Sequence, residues 1–243
     1  MSSAAFAQWT LQILHASDFE GGLSASTDAP NFAAIVDALE ETYPNSITLA
    51  SGDNWIPSPF SLSGEDPALV QPLKDTYISY YGSNFANNDL RAGIARPDIS
   101  IMNFIGVEAS VLGNHEFDLG TSELRNMIAG QNSGANIRWF GAQFPYLSSN
   151  LDFSADANLS NIYEATVQND GFYHSNPTMT AAQIAAVKKL APYTIIEENG
   201  ELIGIVGVTT PILAAISSPG ATTVMNPGAG TDDMSLLATL VQP

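Results

Sequence analysis

Three short apolar runs each break off at a turn that carries a polar side chain. Residues 9–16 stop at Ser17-Asp18, ahead of Gly21-Gly22; residues 47–50 are cut off by Ser51-Gly52-Asp53; residues 109–112 end at Gly113-Asn114. Runs of this length, bounded by turn residues, read as buried strands. The segments between them have helical spacing. Apolar residues at 32, 35, 36, 39 and 43 predict a helix over 32–43, ended by Pro44-Asn45. Pro97-Asp98 opens a helix that runs through Phe104 and is closed by Gly106, and residues 122–129 form the next. Strand, loop and helix in alternation predict an α/β fold with a mostly parallel sheet. In such sheets ligands gather beyond the carboxyl ends of the strands, the edge to which all three turns belong.

Two stretches interrupt this rhythm. Residues 55–96 are rich in Pro, Ser, Gly and Asn and read as a long insertion over the site edge, with a helix near 69–81. Residues 152–177 are similarly irregular. Both are candidates to line a pocket, and plain surface excursions explain them as well. From 193 to 208, two β-rich runs flank Asn199-Gly200, the usual type I′ hairpin signal.

The charge balance limits the partners. Acidic residues outnumber basic ones 25 to 7, for a formal net charge of −18. Nucleic acid and anionic membrane surfaces require a basic footprint, so both are excluded as partners. An anionic substrate would also be repelled unless bound cations or salt offset the field, since screening acts within about 10 Å. A chain of this kind that handles phosphate is expected to do so through metal ions. With no cysteine, disulfides and thiolate metal sites are impossible. Ala5-Phe6-Ala7 has the small-x-small form of a signal-peptidase site, so residues 1–7 read as the end of a signal peptide and Gln8 as the mature start. The expected location is secreted or periplasmic, in a bacterium. No apolar run approaches the ~18 residues of a membrane span.

Four segments carry the chemistry: H-A-S-D-F-E-G-G at 15–22, S-G-D-N at 51–54, G-N-H-E-F-D at 113–118 and G-V-T-T-P at 207–211. Hydrolysis of a phosphate ester needs a strong nucleophile and neutralisation of charge on the transferring group. Two divalent ions about 3.5–4 Å apart supply both, and a proton donor near the leaving oxygen completes the set. Asp18, Glu20, Asp53, Asn114 and His115 offer suitable atoms at strand ends.

In this order the segments resemble the calcineurin-like metallophosphoesterases. Phe117-Asp118 after His-Glu, with Ser149-Asn150-Leu151 and Gly207-Val208-Thr209-Thr210-Pro211, points to the bacterial 5′-nucleotidase and alkaline-phosphatase-like branch. The resemblance runs from Leu11 to Pro211 and implies the N-terminal portion of a four-layer αββα sandwich over residues 8–243. It further implies that Asp18 is a ligand of the first metal, Asp53 the bridging carboxylate and Asn114 a ligand of the second metal. His115 would stabilise the phosphoryl group or protonate the leaving group, with Asp118 orienting it. The cofactors implied are two divalent ions (Mn, Zn, Ca, Mg or Fe), and the reaction is attack by a hydroxide held between them on phosphate monoesters or nucleotides. A phosphodiesterase is the alternative within the same chemistry.

Two departures qualify the resemblance. The family usually reads Asp-x-His, whereas here Glu20 stands at the third position; as a harder anionic ligand it shifts preference away from Zn. The family also draws on later histidines, including a Gly-His-x-His pair. This sequence has no histidine after His174, and its only acids after Pro211 are Asp232 and Asp233. The chain alone is therefore expected to hold at most one ion tightly, to show little turnover, and to expose an apolar face near 193–208 that drives self-association. A truncated, non-catalytic acidic secreted binding protein is the rival from another class.

Other residues have ordinary readings. His15 is expected to be structural and His174 a surface histidine. Phe153, Phe172 and Tyr173 are expected in loop or core packing rather than on a nucleobase. Glu40-Glu41 and Glu197-Glu198 read as solvated faces, and the Asn158-Leu159-Ser160 sequon as chance.

Overall fold

The computed structural model of the chain describes residues 9–20, 22–176 and 178–225. Residues 1–7, read from the sequence as the end of a signal peptide, lie outside these described residues, as do Gln8, Gly21, Asp232 and Asp233. The elements run β1 (Gln12–Ala16), α1 (Ala25–Thr42), β2 (Ser46–Ala50), α2 (Pro59–Ser63), α3 (Val70–Tyr81), α4 (Arg96–Ile105) and β3 (Ala109–Val111). Next come α5 (Gly120–Ile128), the pair β4 (Gln131–Ser133) and β5 (Asn136–Trp139), β6 (Tyr146–Leu147), β7 (Leu151–Asp152), α6 (Ala181–Ala186) and β8 (Leu190–Ala191). The hairpin β9 (Tyr193–Glu198) and β10 (Glu201–Val206), the turn of helix α7 (Leu213–Ile216) and β11 (Thr223–Val224) follow.

The central sheet has five strands in the order β1-β2-β3-β6-β8, and every pairing in it is parallel. The expected α/β class with a mostly parallel sheet is what the chain forms. Because the strands are laid down in sequence order, right-handed crossovers put the helices on one face. There α4 packs against α1, α2 and α5, over a core that includes Val36, Trp55, Ile99, Met102, Phe117 and Leu124. On the other face Ala109, Leu147 and Ala191 meet Tyr173, with Ile205 of β10 packed against them. The described residues thus show three layers: helices, the parallel sheet, and the β9–β10 hairpin.

Local boundaries differ from the sequence reading where a residue type misleads. Strand β1 begins at Gln12 rather than at 9, pinned by hydrogen bonds from the Gln12 amide to Ser46 Oγ (2.8 Å) and Leu39 O (3.3 Å). Helix α1 begins at Ala25 rather than at 32 and contains Pro30. A proline there removes one ladder donor without preventing the turns before it, and Thr27 Oγ1 adds a bond to Ser24 O (2.8 Å). Helix α4 ends as expected at Gly106, whose φ of 88° is the left-handed conformation that closes a helix and whose N–H returns to Met102 O. Helix α3 lies where the 55–96 segment was read as helical. Asn199 and Gly200, at φ 50° and 87°, form the hairpin turn.

Candidate active site

The β1–β2 pairing continues past the strands into their turns. Ser51 N donates to Ala16 O (3.2 Å), Asp18 N to Gly52 O (3.1 Å) and Glu20 N to Asp53 O (3.2 Å). Main-chain bonds alone therefore bring Asp18, Glu20 and Asp53 to one edge. All three hold left-handed backbone, at φ 54°, 50° and 52°. For residues other than glycine that conformation costs on the order of 1 kcal/mol each and concentrates at functional sites.

The third turn closes against the second. His115 N donates to Asp53 Oδ1 at 2.8 Å. A Cβ on Gly113 would lie 2.2 Å from that same oxygen, and one on Gly52, at φ 95°, would lie 2.4 Å from Gly113 N. Only glycine fits either position, because the two loops meet backbone to backbone.

Glu116, which the sequence reading did not single out, holds this meeting together. Its side chain is buried; Oε2 accepts from Asp53 N (3.0 Å) and Gly113 N (2.8 Å), and Oε1 accepts from Asn54 N (2.8 Å). Burial pushes the carboxyl up to about 7, opposed by the Asn54 and Asp53 amides. Asn54 is buried too, its amide donating to Ser110 Oγ (2.8 Å). The available signal was the acid inside the G-N-H-E-F-D hexapeptide.

His115 Nδ1 lies 2.6 Å from Asp118 Oδ2, as the spacing of three residues predicts. The bond to Asp118 raises the histidine above its ordinary value, partial burial opposes this, and the charges of Asp118, Asp53 and Glu20 add to the rise. With 35 % of its side chain exposed, the ring is open to a bound molecule. Asp118 uses its other oxygen as well, accepting from Ser217 Oγ at 2.8 Å. No motif pointed to Ser217.

The donor set suits a hard divalent cation, since Asp18, Glu20, Asp53 and Asn114 all offer oxygen. Among the described residues, however, no group of three or more His, Cys, Asp or Glu side chains stands close enough to hold a metal ion. The turns are assembled, and the charges of Asp53 and Glu20 act on His115, but among the described residues the side chains do not form a closed cage. A cavity of about 390 Å³ adjoins the site between α1 and α4, lined by Asp18, Phe19, Phe32, Asn54 and Phe60 among others. Phe60 comes from the 55–96 insertion, which thus reaches the site edge; none of the described residues of 152–177 belongs to the lining.

The later motif segments act as ties. Asn150 Nδ2 donates to Thr209 O (2.8 Å) and Thr209 N to Asn150 Oδ1 (2.9 Å). Thr209 Oγ1 donates to Leu112 O (2.8 Å), next to Gly113.

The remaining residues sort by burial. His15 is exposed, with Nε2 2.9 Å from Ser51 Oγ. His174 is half-buried 3.9 Å from the Asp170 carboxylate. Phe153 and Tyr173 are core, while Phe172 is exposed. Glu41 and Glu197 are solvated as expected, but Glu40 and Glu198 are not fully so. Glu40 accepts from Thr48 Oγ1 (2.9 Å). With Asp170, both add to the effect of burial in pushing Glu108 up to about 7.

No protein-family model matches the sequence. Among curated proteins, the trifunctional nucleotide phosphoesterase protein YfkN of Bacillus subtilis is 34 % identical over 136 residues, which is 53 % of this chain and 8 % of that protein. Protein UshA of Yersinia enterocolitica is 30 % identical over 160 residues, 62 % of this chain and 22 % of its own length. The 5′-nucleotidase of Diplobatis ommata is 31 % identical over 116 residues, 48 % of this chain and 14 % of its own length. The chain therefore spans less than a quarter of each of these relatives. In structure, it matches the 5′-nucleotidase precursor of Thermus thermophilus with a TM-score of 0.53 and 22 % identity, over 95 % of this chain and 35 % of that one. The chain is thus a homologue of 5′-nucleotidases and nucleotide phosphoesterases, which are hydrolases, and it has the α/β fold of one of them.

Proposed function

We propose that this chain carries the first half of the active site of a metal-dependent phosphoesterase that hydrolyses phosphate monoesters or nucleotides. The observation that carries the reading is the convergence of the Asp18, Glu20 and Asp53 turns with the His115–Asp118 pair at one sheet edge. Asp18, Glu20, Asp53 and Asn114 would hold the divalent ions, with Asp53 shared. When bound, such ions supply positive charge that stabilises the phosphoryl oxygens and acidifies the attacking water. Asp118 accepts the Nδ1 proton of His115 and fixes the ring, which leaves Nε2 for a phosphoryl or leaving-group oxygen. Since Asp118, Asp53 and Glu20 favour the charged ring, His115 is suited to donate that proton.

With no histidine after His174, the site would need ligands beyond those present here. We further propose export from a bacterial cytoplasm, from the Ala5-Phe6-Ala7 pattern. Among the described residues no helix is long and apolar enough to cross a membrane. Self-association through exposed apolar side chains of β1 and β10 also belongs to this proposal.

The test is hydrolysis of an aryl phosphate and of a nucleoside monophosphate with Mn, Zn, Ca or Mg, in a form of the protein that supplies a downstream Gly-His-x-His segment. His115→Ala should cut turnover by about 10²-fold or more with metal content kept, whereas Asp53→Ala should lose both. Inertness with every ion, on monoesters and diesters alike, would favour the non-catalytic acidic binding protein.

A further inference from the structure

We propose that Ser217 is a positioning residue for His115, acting through Asp118. This rests on the reading of His115 above, but the contact that suggests it is independent of any activity. A carboxylate has two oxygens. Asp118 gives Oδ2 to His115 Nδ1 at 2.6 Å and Oδ1 to the Ser217 hydroxyl at 2.8 Å. Asp118 lies only three residues from His115, with its carboxylate 22 % exposed. A carboxylate held on one side alone can rotate about its terminal torsion, which is broad and two-fold. The hydroxyl removes that freedom by holding the second oxygen from 99 residues away in the sequence.

Ser217 is itself held in place. Its N–H donates to Leu213 O at 3.0 Å, and Leu213 is fully buried. Upstream, Thr209 ties the same segment to Leu112 O at 2.8 Å, immediately before the turn that presents Asn114 and His115. The serine and the histidine are therefore referenced to one strand end. Ser217 fixes the plane of the Asp118 carboxylate, the carboxylate keeps the neutral ring's proton on Nδ1, and Nε2 is left as the acceptor or proton-carrying face toward substrate. Partners of this outer kind are worth roughly 10–100-fold in function where they have been removed.

The experiment reads the ring itself. In the ¹⁵N-labelled 243-residue chain, at alkaline pH where the ring is neutral, His115 is identified by its loss in His115→Gln. Its ring-nitrogen shifts should report a single tautomer protonated at Nδ1. Ser217→Thr should retain that signature, while Ser217→Val, matched in shape but lacking the hydroxyl, should give mixed tautomers with the backbone amide spectrum otherwise kept. Ser217→Ala should behave as Val does. Wild-type-like shifts in both Val and Ala, with Asp118→Asn alone losing the signature, would overturn the proposal. So would mixed tautomers in the wild-type chain. In an active form, Ser217→Val should lower kcat by about tenfold at unchanged KM, with Thr restoring it. If no form turns over a phosphate ester, the functional reading fails while the ring spectra still decide the role of Ser217.

Discussion

The carboxylate of Glu116 accepts the main-chain amide of Asp53 at 3.0 Å, across 63 residues of sequence. With the bonds from Asn54 and Gly113, it joins the second and third turns of the site from underneath. Glu116→Gln turns one acceptor into a donor that faces main-chain N–H groups. Leaving buried donors unpaired costs about 1–3 kcal/mol each, so the unfolding midpoint should fall by several degrees and divalent-ion affinity should fall with it. Calorimetry and titration with Mn²⁺ would read both. An unchanged midpoint would show that the two turns hold their positions without it.

Glu20 offers a second substitution. Its left-handed backbone at φ 50° disfavours glutamate, whereas histidine is enriched in that region. Glu20→His should therefore fold at least as well as the native chain. It should also shift relative affinity from Mn or Mg toward Zn, because imidazole suits that ion. Competitive binding with the ions in pairs is the measurement; an unaltered preference would show that Glu20 is not a ligand.

Stability should depend on pH in a stated direction. Burial raises Asp98 from 3.8 to about 6 and Glu108 from 4.5 to about 7, the latter helped by Asp170, Glu198 and Glu40. Both acids bind protons more tightly folded than unfolded. Their contribution is thus fully present below about pH 4 and lost as pH rises through about 6–7. Thermal midpoints should be highest in mild acid and fall toward neutrality. Glu108→Gln, which keeps an acceptor for Thr48 N, should flatten part of that fall. A midpoint that rises from pH 5 to 7 would contradict the assignment.

The face opposite the helices carries exposed apolar side chains: Ile13 at 57 %, Leu202 at 66 % and Val206 at 48 %. Apolar surface of this kind drives association, so the chain should sediment as a concentration-dependent oligomer. Leu202→Lys should shift it toward the monomer. A native chain that stays monomeric at high concentration would show these positions to be inert.

What the sequence made legible were the features encoded locally. Strand ends, the Gly106 helix stop, the Asn199-Gly200 turn and the His115–Asp118 spacing each rest on neighbours within a few residues. Ser217 escaped because its partner is a carboxylate 99 residues away, a bond that leaves no pattern of residue types; Glu116 stood inside a legible hexapeptide, but its bonds to the Asp53 and Asn54 amides form only in three dimensions. Glu40 and Glu198 read as solvent-facing because helix and hairpin spacing says nothing of Glu108, which approaches from the residue just before β3. The start of α1 was missed because the helical spacing of apolar residues begins only at Phe32, whereas the helix itself begins at Ala25.

The close approach of Gly52 and Gly113 bears on how this edge of the protein opens. Two loops in main-chain contact, with Asp53, Asn54 and His115 all donating their amides across the same seam, cannot loosen one at a time. Their amide protons should exchange with solvent at one shared rate, as a single cooperative unit, well below the rates of the amides in the neighbouring 55–96 insertion. An ion arriving at this edge would then meet loops that are either fully in register or fully apart, and its affinity would measure the population of the first state.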